Sequence, residues 1–288
     1  MLEIQYSSII NRSSTRRYDK NPLSTEDINR LESIQDELNS LVPENIFHFQ
    51  VHHFNGKFSP MGIMGGYGVI LNPPHFILPS IIGDKHQLTD LGFRLEQVVL
   101  WLQENGIASC YVGALGREKK LIKQFHLPEG SRIGSLIVLG NPPHKGSEEN
   151  TNHFIRQTAG GKKRKSVDSI YFTDDFNQPG IPPKWLLPII EAGRFSPSAV
   201  NAQPWRFLFD GKFLFLYITR NNLKYGLGLH EEYCFFDGGI AMANILHAVH
   251  NQGLNGSWSM LDSAEETYRN HKPPKNIQLL AKMDIDYS

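Results

Sequence analysis

Two stretches of this chain decide its fold: DLGFRLEQVVLWLQENGIASCY, residues 90–111, and FDGGIAMANILHAVHNQGLNGSW, residues 236–258. Laid over one another, Asp90 falls on Asp237, Gly92 on Gly239, Gly106 on Gly253 and Cys110 on Ser257, each pair 147 residues apart. In the first, together with the preceding Leu88, Leu91, Leu95, Val98, Val99 and Leu102 follow helical spacing. In the second Ile240, Ala243, Leu246 and His247 do the same. Gly106 and Gly253 then supply the expected helix stops. An internal repeat is therefore expected, each copy built around one long helix.

Working outward, a second pairing appears. FHFQVHHFNGKF contains Asn55-Gly56, and WRFLFDGKFLFLYI contains Asp210-Gly211. Both read as strand–turn–strand, because these dipeptides supply positive φ in tight hairpins. Each half then reads helix, helix, hairpin, long helix, short connecting helix or loop, and strand. Ser24 and Asp27 form a capping pair ahead of Ile28 and Leu31. SLIVLG reads as a buried strand closing the first half. The polar stretch from His144 to Lys163 reads as an exposed connection, and the helix KWLLPIIEAGRF leads into the loop SPSAVNAQPW.

At 288 residues two domains are the expectation. The 29 basic and 29 acidic residues cancel, which removes the electrostatic case for nucleic acid or an anionic membrane as partner. Cys110 and Cys234 are too few for a disulfide framework. Neither a signal-peptide core nor a membrane-length apolar run is read. A cytoplasmic protein is expected.

Three clusters carry chemistry. Arg12-Ser13-Ser14-Thr15-Arg16-Arg17 offers guanidinium forks and hydroxyls suited to a phosphate monoester, or else is a solvated basic stretch. In Ser196-Pro197-Ser198-Ala199-Val200-Asn201-Ala202-Gln203-Pro204-Trp205, the prolines stiffen the loop and small residues allow close backbone approach. Asn201 and Gln203 present a donor and an acceptor on one amide, which suits the mixed edge of a flavin pyrimidine. Trp205 reads as a core anchor. Lys162-Lys163-Arg164-Lys165, a basic run, precedes the strand-like SVDSIYF.

Together these residues resemble the FMN-dependent nitroreductase family. Its opening basic–Ser–basic–aromatic pattern is matched by Arg12, Ser14, Arg16 and Tyr18. Its Pro-Ser-x-x-Asn-x-Gln-Pro-Trp loop is matched position by position by Pro197, Ser198, Asn201, Gln203, Pro204 and Trp205, and this is the specific motif. Gly106, Ile107 and Cys110 match a strand entry, Gly140 and Pro142 a turn, and Lys162, Arg164 and SVDSIYF the family's terminal basic pair and strand. The resemblance covers most of residues 1–260. It implies an α+β fold of two tandem halves, 1–160 and 161–288, each with a mostly antiparallel sheet packed against long helices.

The resemblance also implies FMN as cofactor, with NAD(P)H as donor and a flat acceptor such as a nitroaromatic or quinone. Arg12, Ser14, Arg16, Lys162 and Arg164 would face the phosphate, and Pro197, Ser198 and Asn201 would come from the other half. A backbone N–H near flavin N5 would lie around Val112 and Gly113. Family members are dimers with flavin between subunits; here one site is distributed over two halves of one chain, a fused pseudo-dimer expected to work as a monomer. No protein acid or base is assigned. A flavin carrier or sensor without turnover, or a remodelled member that dehalogenates or degrades flavin, are alternatives that fold resemblance does not separate.

Three other signals are set aside. Gly62, Gly65, Gly66 and Gly68 have the wrong spacing for a dinucleotide loop and precede a strand-like YGVIL. His247 and His250 lack companion ligands and read as helical histidines. Cys110 reads as a small buried thiol.

Overall fold

The computed structural model describes residues 2–54, 70, 73–143, 163–177, 179–226, 228–261 and 270–287. Six α-helices appear among them: α1 (Tyr6–Asn11), α2 (Thr25–Ser33), α3 (Gln87–Glu104), α4 (Glu118–Phe125), α5 (Leu187–Phe195) and α6 (Tyr233–Asn251). The strands are β1 (Ile46–His53), β2 (His75–Ile82), β3 (Ala108–Gly113), β4 (Ser135–Gly140), β5 (Tyr171–Thr173), β6 (Trp205–Phe209), β7 (Phe213–Thr219), β8 (Asn255–Met260) and β9 (Ile277–Asp286). No described helix is long and apolar enough to cross a membrane.

The strands form two sheets, in the orders β1-β2-β4-β3 and β5-β6-β7-β9-β8. Apart from β5, the second order repeats the first, strand for strand, and every pairing within that shared pattern is antiparallel. The extra strand β5 lies parallel to β6. Helix α3 packs on the first sheet, α6 on the second, and the two helices pack on each other. One apolar core runs through both halves. Helix α6 is buried along almost its whole length, as a helix that is apolar all round must be.

Both long helices end as the glycines suggested. Gly106 and Gly253 adopt φ of +69° and +72°. Gly106 N–H donates to Gln103 O and Ile107 N–H to Leu102 O; Gly253 N–H donates to His250 O and Leu254 N–H to Val249 O. This is the Schellman arrangement, and it satisfies the last free carbonyls of each helix. Ser24 caps α2, its Oγ accepting from Asp27 N–H at 3.0 Å. The Asp210-Gly211 hairpin also forms, pairing Phe209 with Leu214 across the turn.

Two readings need correction. The partner of β1 is His75–Ile82, with His53 opposite His75, so the first-half hairpin is not closed by the expected tight turn. Asn55 and Gly56 themselves lie outside the described residues, as do Gly62, Gly65, Gly66, Gly68 and most of YGVIL. HFILPSII pairs instead, nearly all of it buried in an inner strand of the sheet. Of SVDSIYF, only Tyr171 and Phe172 are strand, the start of β5; Val167–Ser169 is a turn of 3₁₀ helix. The C-terminal strand β9, which no local turn signal announces, fills the place between β7 and β8.

Gly92 and Gly239 let α3 and α6 touch backbone to backbone. A Cβ on Gly92 would overlap the Phe236 carbonyl, and one on Gly239 would overlap the Thr89 carbonyl and crowd the Phe93 nitrogen. Gly92→Ala and Gly239→Ala should each destabilise the protein by about 1–3 kcal/mol, although alanine is the better helix former by about 1 kcal/mol. Urea unfolding checks this, and an unchanged midpoint in both variants would refute the close crossing.

Candidate functional site

The crossing fixes the loops that precede each sheet. Asp237, buried one turn into α6, accepts from Ala199 N–H with both carboxylate oxygens at 3.1 Å and from Tyr225 O–H at 2.7 Å. Its counterpart Asp90 accepts from Leu41 N–H at 2.8 Å and from Asn45 Nδ2 at 3.2 Å. Burial raises both carboxyls above the ordinary aspartate range, most strongly Asp237.

The loop held by Asp237 is the Pro197–Trp205 motif. Val200, Asn201 and Gln203 sit at φ of 49°, 52° and 51°. A β-branched residue in the left-handed region is a true outlier, and such strain concentrates at functional sites. Ser198 Oγ accepts from Gln203 N–H at 3.0 Å and braces the turn. Trp205 is fully buried, as a core anchor.

Both loop amides are engaged by the basic segment 163–165. Asn201 Oδ1 accepts from Arg164 Nη1 at 2.8 Å, and Asn201 Nδ2 donates to Lys163 O at 3.0 Å. Gln203 Oε1 accepts from Lys165 N–H at 2.8 Å, and its Nε2 donates to Lys163 O at 3.0 Å. In this structure the two amides bond the segment that carries Arg164. Arg164 Nη2 also donates to Phe195 O at the end of α5, at 3.0 Å. Lys162 lies outside the described residues.

Half-buried Arg164 lies within electrostatic range of Arg12, which follows α1. Burial, then the Arg12 and Arg194 charges, pull the Arg164 guanidinium down to about 10. The acid among them is Glu96 on α3, fully buried, its Oε1 3.9 Å from Arg12 Nε and its Oε2 accepting from Tyr111 O–H at 2.8 Å. Burial pushes Glu96 up to about 7 against the lowering influence of Arg12, Tyr111 and Asn244. Ser14 and Arg16 are half-buried in the extended segment beyond Arg12, which is tied to β3 by Thr15 N–H donating to Ser109 O at 2.9 Å.

Strand β3 runs from this basic end toward the second half. Ser109 O faces the segment 13–17, whereas Ala114 N–H donates to Gly134 O across the ladder, and Leu115 N–H donates to the Tyr233 hydroxyl at 3.2 Å. Strand alternation then puts the Val112 N–H inside the ladder with β4 and the Gly113 N–H on the open edge. Of the two amides expected near a ligand, only that of Gly113 is available. Gly113 is also where a side chain is excluded, because a Cβ would overlap the Tyr233 hydroxyl.

Sequence reading missed Glu96, Tyr111, Asn244, Asp237 and Tyr233. The usable signal was the polar residues Asp90, Glu96 and Gln97 among the apolar positions of a helix buried along most of its length. Cys110 and Cys234 are buried thiols, the latter pushed by burial up to about 12. Among the described residues no group of His, Cys, Asp and Glu is arranged to hold a metal.

A family model described as "Putative TM nitroreductase" matches residues 5–222. Among solved structures, a "putative nitroreductase" from Thermotoga maritima is similar at 16% identity and TM-score 0.59, over 99% of this chain and 95% of that one. A nitroreductase with bound FMN from Bacteroides fragilis aligns over 49% of this chain and 89% of its own, at 18% identity and TM-score 0.41. An FMN-dependent nitroreductase from Clostridium difficile aligns over 49% and 94%, at 16% and 0.42. No curated protein matches in sequence.

The raised Glu96 carboxyl has a stability consequence. Between about 4.5 and about 7 the folded chain keeps a proton that the unfolded chain has released. On this account stability falls as pH rises through that window. Glu96→Gln should remove that slope, so the difference in urea midpoint between wild type and variant should move against the wild type from pH 4.5 to 7.5. A constant difference would show that Glu96 titrates normally.

Proposed function

The chain belongs to the nitroreductase family described above, and from that premise we propose that it binds one FMN per chain between its two halves and reduces a flat acceptor at the expense of NAD(P)H. One observation carries the reading. Arg12 and Arg164, read from two separate motifs, act on each other and on the one raised carboxyl, Glu96, and among the described residues the buried Arg12 Nε has no hydrogen-bond partner. Two guanidiniums, one buried and one half-buried, with one acid are short of negative charge, and a phosphate monoester suits them in charge and donor chemistry. That donor set suits FMN, and FMN is what the Bacteroides fragilis relative holds.

In this reading Arg12 and Arg164 hold the phosphate, with Ser14 and Arg16 at its open side and Lys162 joining from the same basic run. Pro197 and Ser198 keep the loop stiff, and Asn201 keeps Arg164 pointed at the phosphate. The open Gly113 N–H meets the ring, and Val112 packs behind it. When bound, FMN supplies two-electron transfer between a reduced nicotinamide and the acceptor. The chain's own part is to bind, orient and exclude water; no side chain need give or take a substrate proton. The buried aromatic Tyr225 and Tyr233, with ring centroids 6.2 Å apart, favour a flat acceptor.

Two sheets of the same order in one chain support the fused pseudo-dimer, with halves at about 1–160 and 161–288. The purified protein should carry FMN, identified by mass after heat release, at one per chain in a monomer. Arg12→Ala and Arg164→Ala should each weaken FMN binding by about 1.5–3 kcal/mol. Addition of NADH or NADPH without oxygen should bleach the flavin. FAD, two flavins per chain, or a flavin that neither nicotinamide reduces would each refute the corresponding part.

A further inference from the structure

Resting on the FMN reading, we propose that Glu96 is a positioning residue whose carboxyl takes up a proton when the FMN phosphate engages Arg12, so that cofactor binding is proton-linked. Glu96 stands in the middle of a helix, without exposure to solvent. Four elements face it: the end of α1 through Arg12, β3 through Tyr111, α6 through Asn244, and the basic segment through Arg164. Asp237 is the next acid, acting on Tyr111 from α6.

Among the described residues, Arg12 Nε and Glu96 Oε1 are buried without a hydrogen-bond partner, 3.9 Å apart. The carboxylate's charge is thus met by Arg12 across a gap that no hydrogen bond closes. A proton on Oε1 removes that charge and turns the acceptor into a donor. Asn244 in turn donates Nδ2 to Ser196 Oγ at 2.8 Å, at the head of the Pro197–Trp205 loop. The carboxyl therefore links the arginine of the first half to the loop of the second.

The phosphate drives the change. A dianion that engages Arg12 withdraws the counter-charge of Glu96 and adds a like charge beside it, and both effects favour the neutral acid. Burial has already brought Glu96 to about 7, so a proton is available from solvent near neutrality. It forms an O–H bond on Oε1 as the buffer acid's bond to the same proton breaks, and no oxidation state changes.

Titration calorimetry of the cofactor-free protein with FMN at pH 7.0–8.5, in buffers of different ionisation heat, tests this. In that range the phosphate, with a second pKa of about 6, contributes little. Up to one proton should be taken up per FMN, and Kd should rise with pH by at most about tenfold per unit. Glu96→Gln should abolish the uptake and flatten the profile. Tyr111→Phe, which removes a hydrogen bond to the carboxylate, should shift the profile to higher pH and serves if Glu96→Gln does not fold. FMN bound without proton uptake, or with uptake unchanged in Glu96→Gln or a profile unmoved in Tyr111→Phe, overturns this proposal alone. A protein that binds no FMN overturns the flavin reading and this proposal with it.

Discussion

The structure depends on one contact, the backbone-to-backbone crossing of two long helices at Gly92 and Gly239. No side chain separates the helices there, so each helix brings the sheet behind it to a fixed distance. Everything placed on the helices inherits that registration. The aspartates two residues before each glycine grip the loops that enter the two sheets, Asp90 at Leu41 and Asp237 at Ala199. A looser crossing would leave these carboxyls buried without their amide partners, which costs more than the hydrogen bonds themselves contribute.

The frame is repeated, but the chemistry on it is not. In the first half, the gripped loop runs through Leu41 and Asn45, and Gln97 braces it by exchanging hydrogen bonds with Asn39. In the second half the corresponding loop is strained at three residues and clasps the basic segment 163–165. That segment precedes β5, which adds to the edge of the second sheet beside β6. The segment that carries Arg164 thus leads directly into the edge strand of the second sheet.

The long helices, their glycine stops, the Asp210-Gly211 hairpin and the Pro-Ser loop were legible because each is written in a few neighbouring residues. The pairing of β1 with β2 was not, since a strong local turn signal at Asn55-Gly56 competes with a more apolar strand further on. The repeat implied a closing strand in the second half, but its location at Ile277–Asp286, between β7 and β8, is set by neighbours distant in sequence. At the candidate site, residue types singled out segments but not the partners those segments bond. Asn201 and Gln203 advertise free amides in sequence, and only the fold shows that Lys163, Arg164 and Lys165 take them. Glu96 was hidden in an apolar helix, where a single carboxylate is easily taken for a solvated position.

Glu96 also bears on symmetry. In an assembly of two identical chains, any residue near the twofold axis is present twice, and a buried acid would meet the consequences of its own copy. Here the position 147 residues on from Glu96 is Ala243. A single chain carrying both halves can place one ionisable group, unmatched, at the heart of an otherwise repeated frame. The two halves are thereby free to hold different charge states at corresponding positions, which a true dimer of equal subunits cannot encode in its sequence.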